Sequence, residues 1–298
     1  MELLISQFRK ISKSLSGSGL GRIPGILKLY YLIYKIIFPK GIVLINIQGS
    51  KMYVNTQDMS FVPSLMVSGV YEKYETELFK KLVKPGMTVV DIGSNIGYYS
   101  LIAAKLAGNN GKVYAFEPEP NNYNLLVKNI KINNYANIIP IQKAVSNKRG
   151  NTKLFIDKIN LGNPSFSKNN VPTPKEGFAE VEAITLDEFF ENVVKDSKVD
   201  FIKMDTQGAE GLIVEGAGEV LKNNNLKIFM EFWPYGLKNI GTNPLKLLLK
   251  LQNYGFKMKI IDEKNQCIKH TRIMKIIEIC ENSKNGKGHV NLLLETNL

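Results

Sequence analysis

Apolar positions along this chain keep two rhythms, and their alternation predicts the architecture. Residues 87–92 form an unbroken run rich in β-branched side chains, as expected of a strand covered on both faces. Residues 96–106 then carry apolar side chains at helical spacing. The same succession recurs downstream, with a strand at 113–116, a helix at 121–133, a third strand at 138–142, a fourth at 201–204, a helix at 210–221 and a fifth strand at 227–232. Thr185 and Glu188 make a capping box that opens a helix reaching about residue 194. Ahead of these, 42–47 and 51–54 read as a hairpin joined by Gly49 and Ser50, and 71–83 as a helix ended by Pro85 and Gly86. The final third adds a helix near 245–254 and strands near 257–261 and 290–294. Residues 157–178 are rich in turn formers and poor in periodicity, the mark of a lid, a binding loop or a disordered stretch. Successive β-then-α units force helices onto both faces of a parallel sheet. The expectation is an α/β fold with a doubly wound, mostly parallel sheet, preceded by an N-terminal helical arm and a hairpin.

Composition sets outer limits. A chain of 298 residues with 44% hydrophobic content can bury one large core, so a single α/β unit with additions is the economical division. The boundaries expected are a basic amphipathic arm at 1–40, a hairpin and lead-in helix at 41–84, and the main domain at 85–298. Cys267 and Cys280, with only His270 and His289 beside them in composition, offer neither a metal-ligand pattern nor a disulfide framework, and no metal is expected. They read as idle thiols in a reducing cytosol. Basic residues precede an apolar stretch without a small-residue cleavage site, so a cleavable signal peptide is not expected.

The net charge of +12 is unevenly placed, since residues 1–40 alone carry +6. Within them, 23–38 is a sixteen-residue apolar stretch holding Lys28 and Lys35. A spanning helix needs about 20 apolar residues, so this one is too short to cross a bilayer. Two placements remain open: on an anionic membrane surface, with tyrosines at headgroup level, or packed on the body of the protein with its lysines snorkelling. The location expected is cytoplasmic, with peripheral contact on the inner membrane face as the variant that the arm allows.

The chemistry concentrates where the first strand meets its helix. Gly93 and Gly97 frame a turn in which small residues admit a ligand to the backbone, and the following helix start offers unpaired N–H groups. The spacing is close to the dinucleotide fingerprint, yet Asn95 stands where a second glycine would admit a pyrophosphate. S-adenosyl-L-methionine carries no phosphate and tolerates polar contacts from Asn95 and Asp91. Twenty residues past Gly97, Glu117 closes the second strand, where a carboxylate can accept both hydroxyl protons of a ribose diol. A nucleoside cofactor of this kind is the expectation.

At this point a family resemblance emerges. The run Val90-Asp-Ile-Gly-Ser-Asn-Ile-Gly-Tyr-Tyr-Ser100, then Phe116-Glu-Pro, Ala144-Val-Ser146, Thr185-Leu-Asp187 and Ile202-Lys-Met-Asp-Thr-Gln-Gly-Ala-Glu210 resemble the motif series of FkbM-type methyltransferases over about residues 71–261. The resemblance implies a class I, Rossmann-like sheet of seven strands with a reversed last strand, S-adenosyl-L-methionine as cofactor, and methylation of a hydroxyl, often on sugars. It also implies Ala144 as a cofactor contact beside Asp91, Gly93, Asn95, Gly97, Glu117 and Asp205. Gln207 departs from the family, many of whose members have Glu there.

Ligands of open α/β sheets sit at the carboxyl ends of the strands, which gathers Asp91, Asn95, Glu117, Asp205 and Glu231 into one crevice. Methylating an alcohol requires in-line placement and removal of a proton. Asp205 is the first candidate base, with Glu210 and Glu231 in reserve; acidic residues at strand tips also cap helices or hold a cofactor amine. Lys203 is set to pair with a nearby acid. Trp233 and Tyr235 are candidates to stack on a sugar, or plain core aromatics. The acceptor expected is a small molecule or a saccharide, in a glycan or on a lipid. Two alternatives stand beside it: a nucleic-acid methyltransferase and a non-catalytic nucleoside-binding module at a membrane. Nucleic acid is the weaker partner, because Asn163-Pro-Ser-Phe166 lacks the second proline of a base-flipping motif and lies in the long loop.

Overall fold

The computed structural model describes residues 2–15, 25–175, 177–194, 198–222 and 225–296. At its centre are β3 (Thr88–Ile92), β4 (Lys112–Phe116), β5 (Ile138–Ile141), β9 (Phe201–Met204) and β10 (Lys227–Phe232). Each pairs with its neighbour in parallel, in the order β10-β9-β3-β4-β5. Beyond β10 the sheet continues through β13 (Val290–Thr296), β11 (Phe256–Asp262) and β12 (Cys267–His270). β13 runs antiparallel to both of its neighbours, as the reversed strand expected, and β12 is antiparallel to β11.

Neighbouring residues of one strand serve opposite faces, because a strand has a two-residue period. Val90, Ile202 and Met230 join one apolar cluster, with Ile213 and Val214 of α8 (Glu210–Glu215) and Leu247 and Leu251 of α10 (Pro244–Asn253). Val89, Phe201 and Phe229 join the other, with Phe79 of α4 (Lys73–Leu82), Ile102 of α5 (Tyr98–Ala107) and Leu126 of α6 (Pro120–Asn133). The rings of Phe79, Phe201 and Phe229 meet edge to face or tilted at 5.1 to 6.0 Å. Helices therefore cover both sides of the sheet, and the fold is the doubly wound α/β class.

The arm belongs to the second cluster. α1 (Glu2–Leu15) and α2 (Ile26–Ile37) contribute Phe8 and Tyr34, which bury with Phe38, with Met52 and Val54 of the hairpin β1 (Ile42–Ile47) and β2 (Ser50–Asn55), and with Val62 and Met66 of α3 (Val62–Ser68). α2 nevertheless stays apolar on its outer side, where Leu29, Leu32 and Ile36 are 56%, 56% and 68% exposed. Of the arm expected at 1–40, residues 1 and 16–24, among them Arg22, Ile23 and Pro24, lie outside the described residues.

Several elements differ from the sequence expectation, each for a local reason. The sheet has eight strands rather than seven, because the turn at 263–266, with Gln266 at φ 51°, folds the short β12 back on β11. The helix expected over 210–221 stops at Gly216, where a Cβ would stand 2.2 Å from the Ser146 carbonyl oxygen. The helix opened by Thr185 keeps its cap, a 3.0 Å bond from the Glu188 N–H to Thr185 Oγ1, and reaches Val194 as expected, but as α7 (Leu186–Phe189) followed by a π-helical stretch over Phe190–Val194. A small sheet of β6 (Ala144–Val145), β8 (Ala179–Ile184) and β7 (Gly150–Leu154) was hidden by short, polar strands. α3, α9 (Pro234–Asn239) and α11 (Ile273–Glu281) also lie outside the pattern read from periodicity.

Candidate active site

The turn after β3 is shaped by its neighbours. The N–H groups of Gly93 and Ser94 both donate to the Phe116 carbonyl, at 3.0 and 2.9 Å, which ties the turn to the end of β4. Gly93 has φ 78°, and a Cβ there would lie 2.1 Å from the Asp205 carbonyl oxygen. Asn95 is itself left-handed at φ 53°, a conformation that Asn tolerates better than most residues. Gly97, at φ 96°, precedes α5.

Glu117 closes the turn from the other side. Its Oε2 accepts the Asn95 N–H and its Oε1 the Glu119 N–H, both at 2.8 Å. It is 2% exposed, and burial pushes its carboxyl up to about 8 despite those two donors. Asp91, equally buried, accepts the Ser100 hydroxyl at 2.5 Å and is raised by burial to about 6.

Two hollows open at this end of the sheet. One is an apolar slot walled by Phe116, Ala144, Val145, Leu154 and Phe166, with Glu117 at its side. The other is a polar cavity of about 350 Å3 reached by Ser94, Asn95, Tyr71, Glu72, Glu231 and Trp233. Gly93, Asp205 and Gln207 line both. The cavity floor is a charged cluster. Lys203 Nζ lies 3.4 Å from Glu75 Oε1 and 3.6 Å from Asp205 Oδ2, with the Tyr99 ring 5.0 Å away. Burial opposes its charge, but Glu75, Asp205, Glu72 and Asp91 together outweigh burial and hold the ammonium above its usual range. Glu72 is raised to about 8 by burial and by Glu75. The Gln207 amide donates to Asp205 Oδ1 and to Glu231 Oε2, at 3.2 Å each, and so bridges two carboxylates. Burial, then Asp205 and Glu210, keep the Glu231 carboxyl well above its ordinary value.

Asp91, Gly93, Asn95, Glu117, Ala144, Asp205 and Glu231 thus line one or other hollow, while Gly97 sits just behind the turn with Leu126 against its Cα. Glu210 lines neither. Its Oε1 accepts from the Thr206 N–H and hydroxyl, at 3.0 and 2.9 Å, so it braces the 205–209 turn from beneath, and burial raises it to about 7. Glu72, Glu75, Ser94, Lys284, Lys287 and His289 were missed by sequence reasoning. Of these Ser94 carried a signal as a member of the glycine turn and His289 as one of two histidines in the chain.

Residues between Asn160 and Pro172 of the long loop line both hollows. Asp157 anchors it by accepting the N–H groups of Ile159 and Asn160 and the Thr173 hydroxyl, at 2.6 to 2.9 Å. Ser165 and Asn170 donate to the Gln207 carbonyl at 2.8 and 3.0 Å, joining the loop to the turn that carries Asp205.

The residues present suit S-adenosyl-L-methionine. Ser94 Oγ is buried without a hydrogen-bond partner at the cavity wall, and such a group calls for a ligand atom. Gly93 lines both slot and cavity, and Glu117 keeps lone pairs for hydroxyl donors. Sheet order and fit together define the class: the fold is that of a class I methyltransferase, and its cofactor site suits S-adenosyl-L-methionine.

Comparison with known proteins narrows the class. The chain belongs to the FkbM methyltransferase family, whose domain model matches residues 91–258, more than half of its length. It is similar to the protein-L-isoaspartate O-methyltransferase of Methanococcoides burtonii, 41% identical over 56 residues, covering 19% of this chain and 28% of that protein. It is also similar to the ribosomal RNA large subunit methyltransferase E of Acinetobacter baumannii, 48% identical over 50 residues, covering 17% of this chain and 23% of the relative. The chain therefore spans about a quarter of the length of these curated relatives. Among solved structures, the FkbM methyltransferase of Methylobacillus flagellatus aligns over 78% of this chain and 52% of its own, at 14% identity and a TM-score of 0.41.

Proposed function

We propose that the enzyme methylates a hydroxyl of a saccharide, in a glycan or a lipid-linked sugar. The observation that carries this reading is Asp205 at the junction of slot and cavity, with Glu231 reached through the Gln207 amide. Bound S-adenosyl-L-methionine supplies an electrophilic methyl group whose leaving group is a neutral thioether. The chain must place the hydroxyl in line and take its proton. Glu117 holds the ribose diol, Ala144 flanks the slot, and Asp91, Gly93, Asn95 and Gly97 form the cradle. Asp205 is the base, Glu231 the second carboxylate in reach, and Glu210 a brace for the turn. Trp233 and Tyr235, with ring centroids 5.7 Å apart, offer faces for a sugar to stack on. The catalytic unit is 85–298, with the hairpin and lead-in helix at 41–84 and the arm at 1–40 as additions.

A peripheral contact with an anionic membrane is part of the same reading. Leu29, Leu32 and Ile36 form one outer stripe of α2, Lys28 and Lys35 are exposed beside it, and the arm packs on α3 next to the cavity residues Ser60 and Phe61. Among the described residues no helix is long and apolar enough to cross a membrane. Both Leu32→Glu and Ile36→Glu should abolish sedimentation with phosphatidylglycerol vesicles; unchanged sedimentation would leave the stripe without that role.

The deciding assay incubates the protein and cofactor carrying a labelled methyl group with saccharide, RNA and protein fractions. Label is expected in saccharide, and Asp205→Asn should lower turnover by roughly 10²- to 10⁴-fold with S-adenosylhomocysteine binding intact. Label in RNA would favour the nucleic-acid alternative, for which the net charge of +12 also speaks. Full turnover in Asp205→Asn would remove the base assignment.

A further inference from the structure

The cavity has an acidic floor and a basic rim, and the saccharide reading uses only the floor. Lys284, Lys287 and His289 come to the cavity from one short segment between α11 and β13. That segment is built rather than loose. The Trp233 indole N–H donates to the Lys287 carbonyl at 3.2 Å, and Lys287 Nζ stands 4.6 Å from the Tyr235 ring centroid. A Cβ on Gly288 would lie 2.5 Å from the Ser283 side chain and 2.6 Å from the Cys280 carbonyl oxygen, so the backbone there packs closely on the end of α11. Three successive residues, Lys284, Asn285 and Gly286, have φ of 47°, 56° and 81°. Left-handed backbone at non-glycine residues persists only where the surroundings hold it, and such strain gathers at ligand sites.

The rim charges are not spent on the floor. Among the described residues neither rim lysine forms an ion pair with a carboxylate, although Asp205 and Glu231 share the cavity with them. His289 Nε2 lies 3.8 Å from Glu231 Oε1, and burial together with Lys284 lowers its pKa, so it offers the rim a hydrogen bond rather than a third charge. Sugar hydroxyls need acceptors and donors of hydrogen bonds, which floor carboxylates and asparagines supply, but they give two ammonium groups nothing to neutralise. A planar carboxylate is matched best by the fork of an arginine, whereas lysines act as movable point charges that suit a phosphate. The rim's cations are lysines, and among the described residues no arginine lines the cavity.

We infer that the acceptor is a phosphorylated saccharide, its phosphate or diphosphate held by Lys284 and Lys287 at the cavity rim and its sugar ring between Trp233 and the Asp205–Glu231 floor. This rests on the saccharide reading and adds the anion to it. The linkage can belong to a nucleotide sugar or to a polyprenyl carrier, and both present the same chemistry to the rim.

The test is calorimetry on the full chain saturated with S-adenosylhomocysteine. The probes are inorganic pyrophosphate, uridine diphosphate, polyprenyl diphosphate in neutral vesicles, glucuronic acid, methyl glucoside and a short RNA. Pyrophosphate should bind, and the Lys284→Ala/Lys287→Ala protein should bind it at least about tenfold more weakly with S-adenosylhomocysteine affinity unchanged. Whichever of uridine diphosphate and polyprenyl diphosphate binds more tightly identifies the source. Silence from all phosphate probes, equal affinity in the double variant, or preference for glucuronic acid or RNA overturns the inference. If phosphate probes fail while neutral saccharides are methylated, the saccharide reading survives alone; if saccharides are not methylated either, both fall.

Discussion

Lys203 is the residue on which the floor of the site depends. It is buried with Glu75 and faces Asp205, and each charge is tolerable only because the others are present. Removing one partner from a buried ion pair strands the other, at about 3–5 kcal/mol. Lys203→Met should therefore lower stability by about that amount in denaturant titration, and Lys203→Met/Glu75→Gln should recover part of it; a single variant as stable as the parent would show that the floor carboxylates are already neutral. Burial also sets a pH dependence. Asp91, Glu210 and Glu117 are raised to about 6, 7 and 8, so the folded state holds protons that the unfolded chain releases near pH 4. Their stabilising contribution is complete below that unfolded value and is lost as pH climbs through about 6 to 8. The Tm of the ligand-free protein is expected to fall between pH 5 and 8, with Glu117→Gln flattening the upper part of the slope. A Tm that rises across this window would mean that these groups are ionised when buried.

At the scale of elements, the turn after β3 depends on the turn after β9. The missing side chain of Gly93 makes room for the Asp205 carbonyl, so Gly93→Ala must push the two turns apart. It should abolish S-adenosylhomocysteine binding in calorimetry while the far-UV spectrum stays native; retained affinity would show that the turns move independently. The glycine was visible in the sequence because strand, turn and helix are contiguous. Its partner was not, since Asp205 approaches from 112 positions further along. The same limit explains the helix over 210–221, where apolar spacing continued past Gly216 but the Ser146 carbonyl had taken the space. α2 shows the reverse case. Its sequence left packing and membrane contact as alternatives, and the helix packs one side through Tyr34 while keeping a second apolar side outward.

For the whole molecule, cofactor binding should act as a clamp across layers that come from distant parts of the chain. S-adenosylhomocysteine at a hundred times its Kd stabilises the folded state by about 2.7 kcal/mol, which calorimetric scanning would read as a higher Tm. Amide exchange should slow in the 157–178 loop, because Ser165 and Asn170 tie it to the Asp205 turn. Exchange slowed only in α5 and α6 would mean that the loop is no part of the site.

By itself the sequence determined the alternation of strands and helices, the doubly wound sheet, the glycine turn and the carboxylate at the tip of β4. Each of these is written in a few contiguous residues, whose apolar period or backbone freedom acts locally. Only the tertiary structure decided that Glu72 of the α4 region, Lys203 of β9 and His289 before β13 join Glu231 at one cavity, that Glu75 pairs with the buried Lys203, and that Glu210 lines no part of it. Burial and charge pairing depend on which surfaces meet after the strands take their order, and no short window of sequence carries that information.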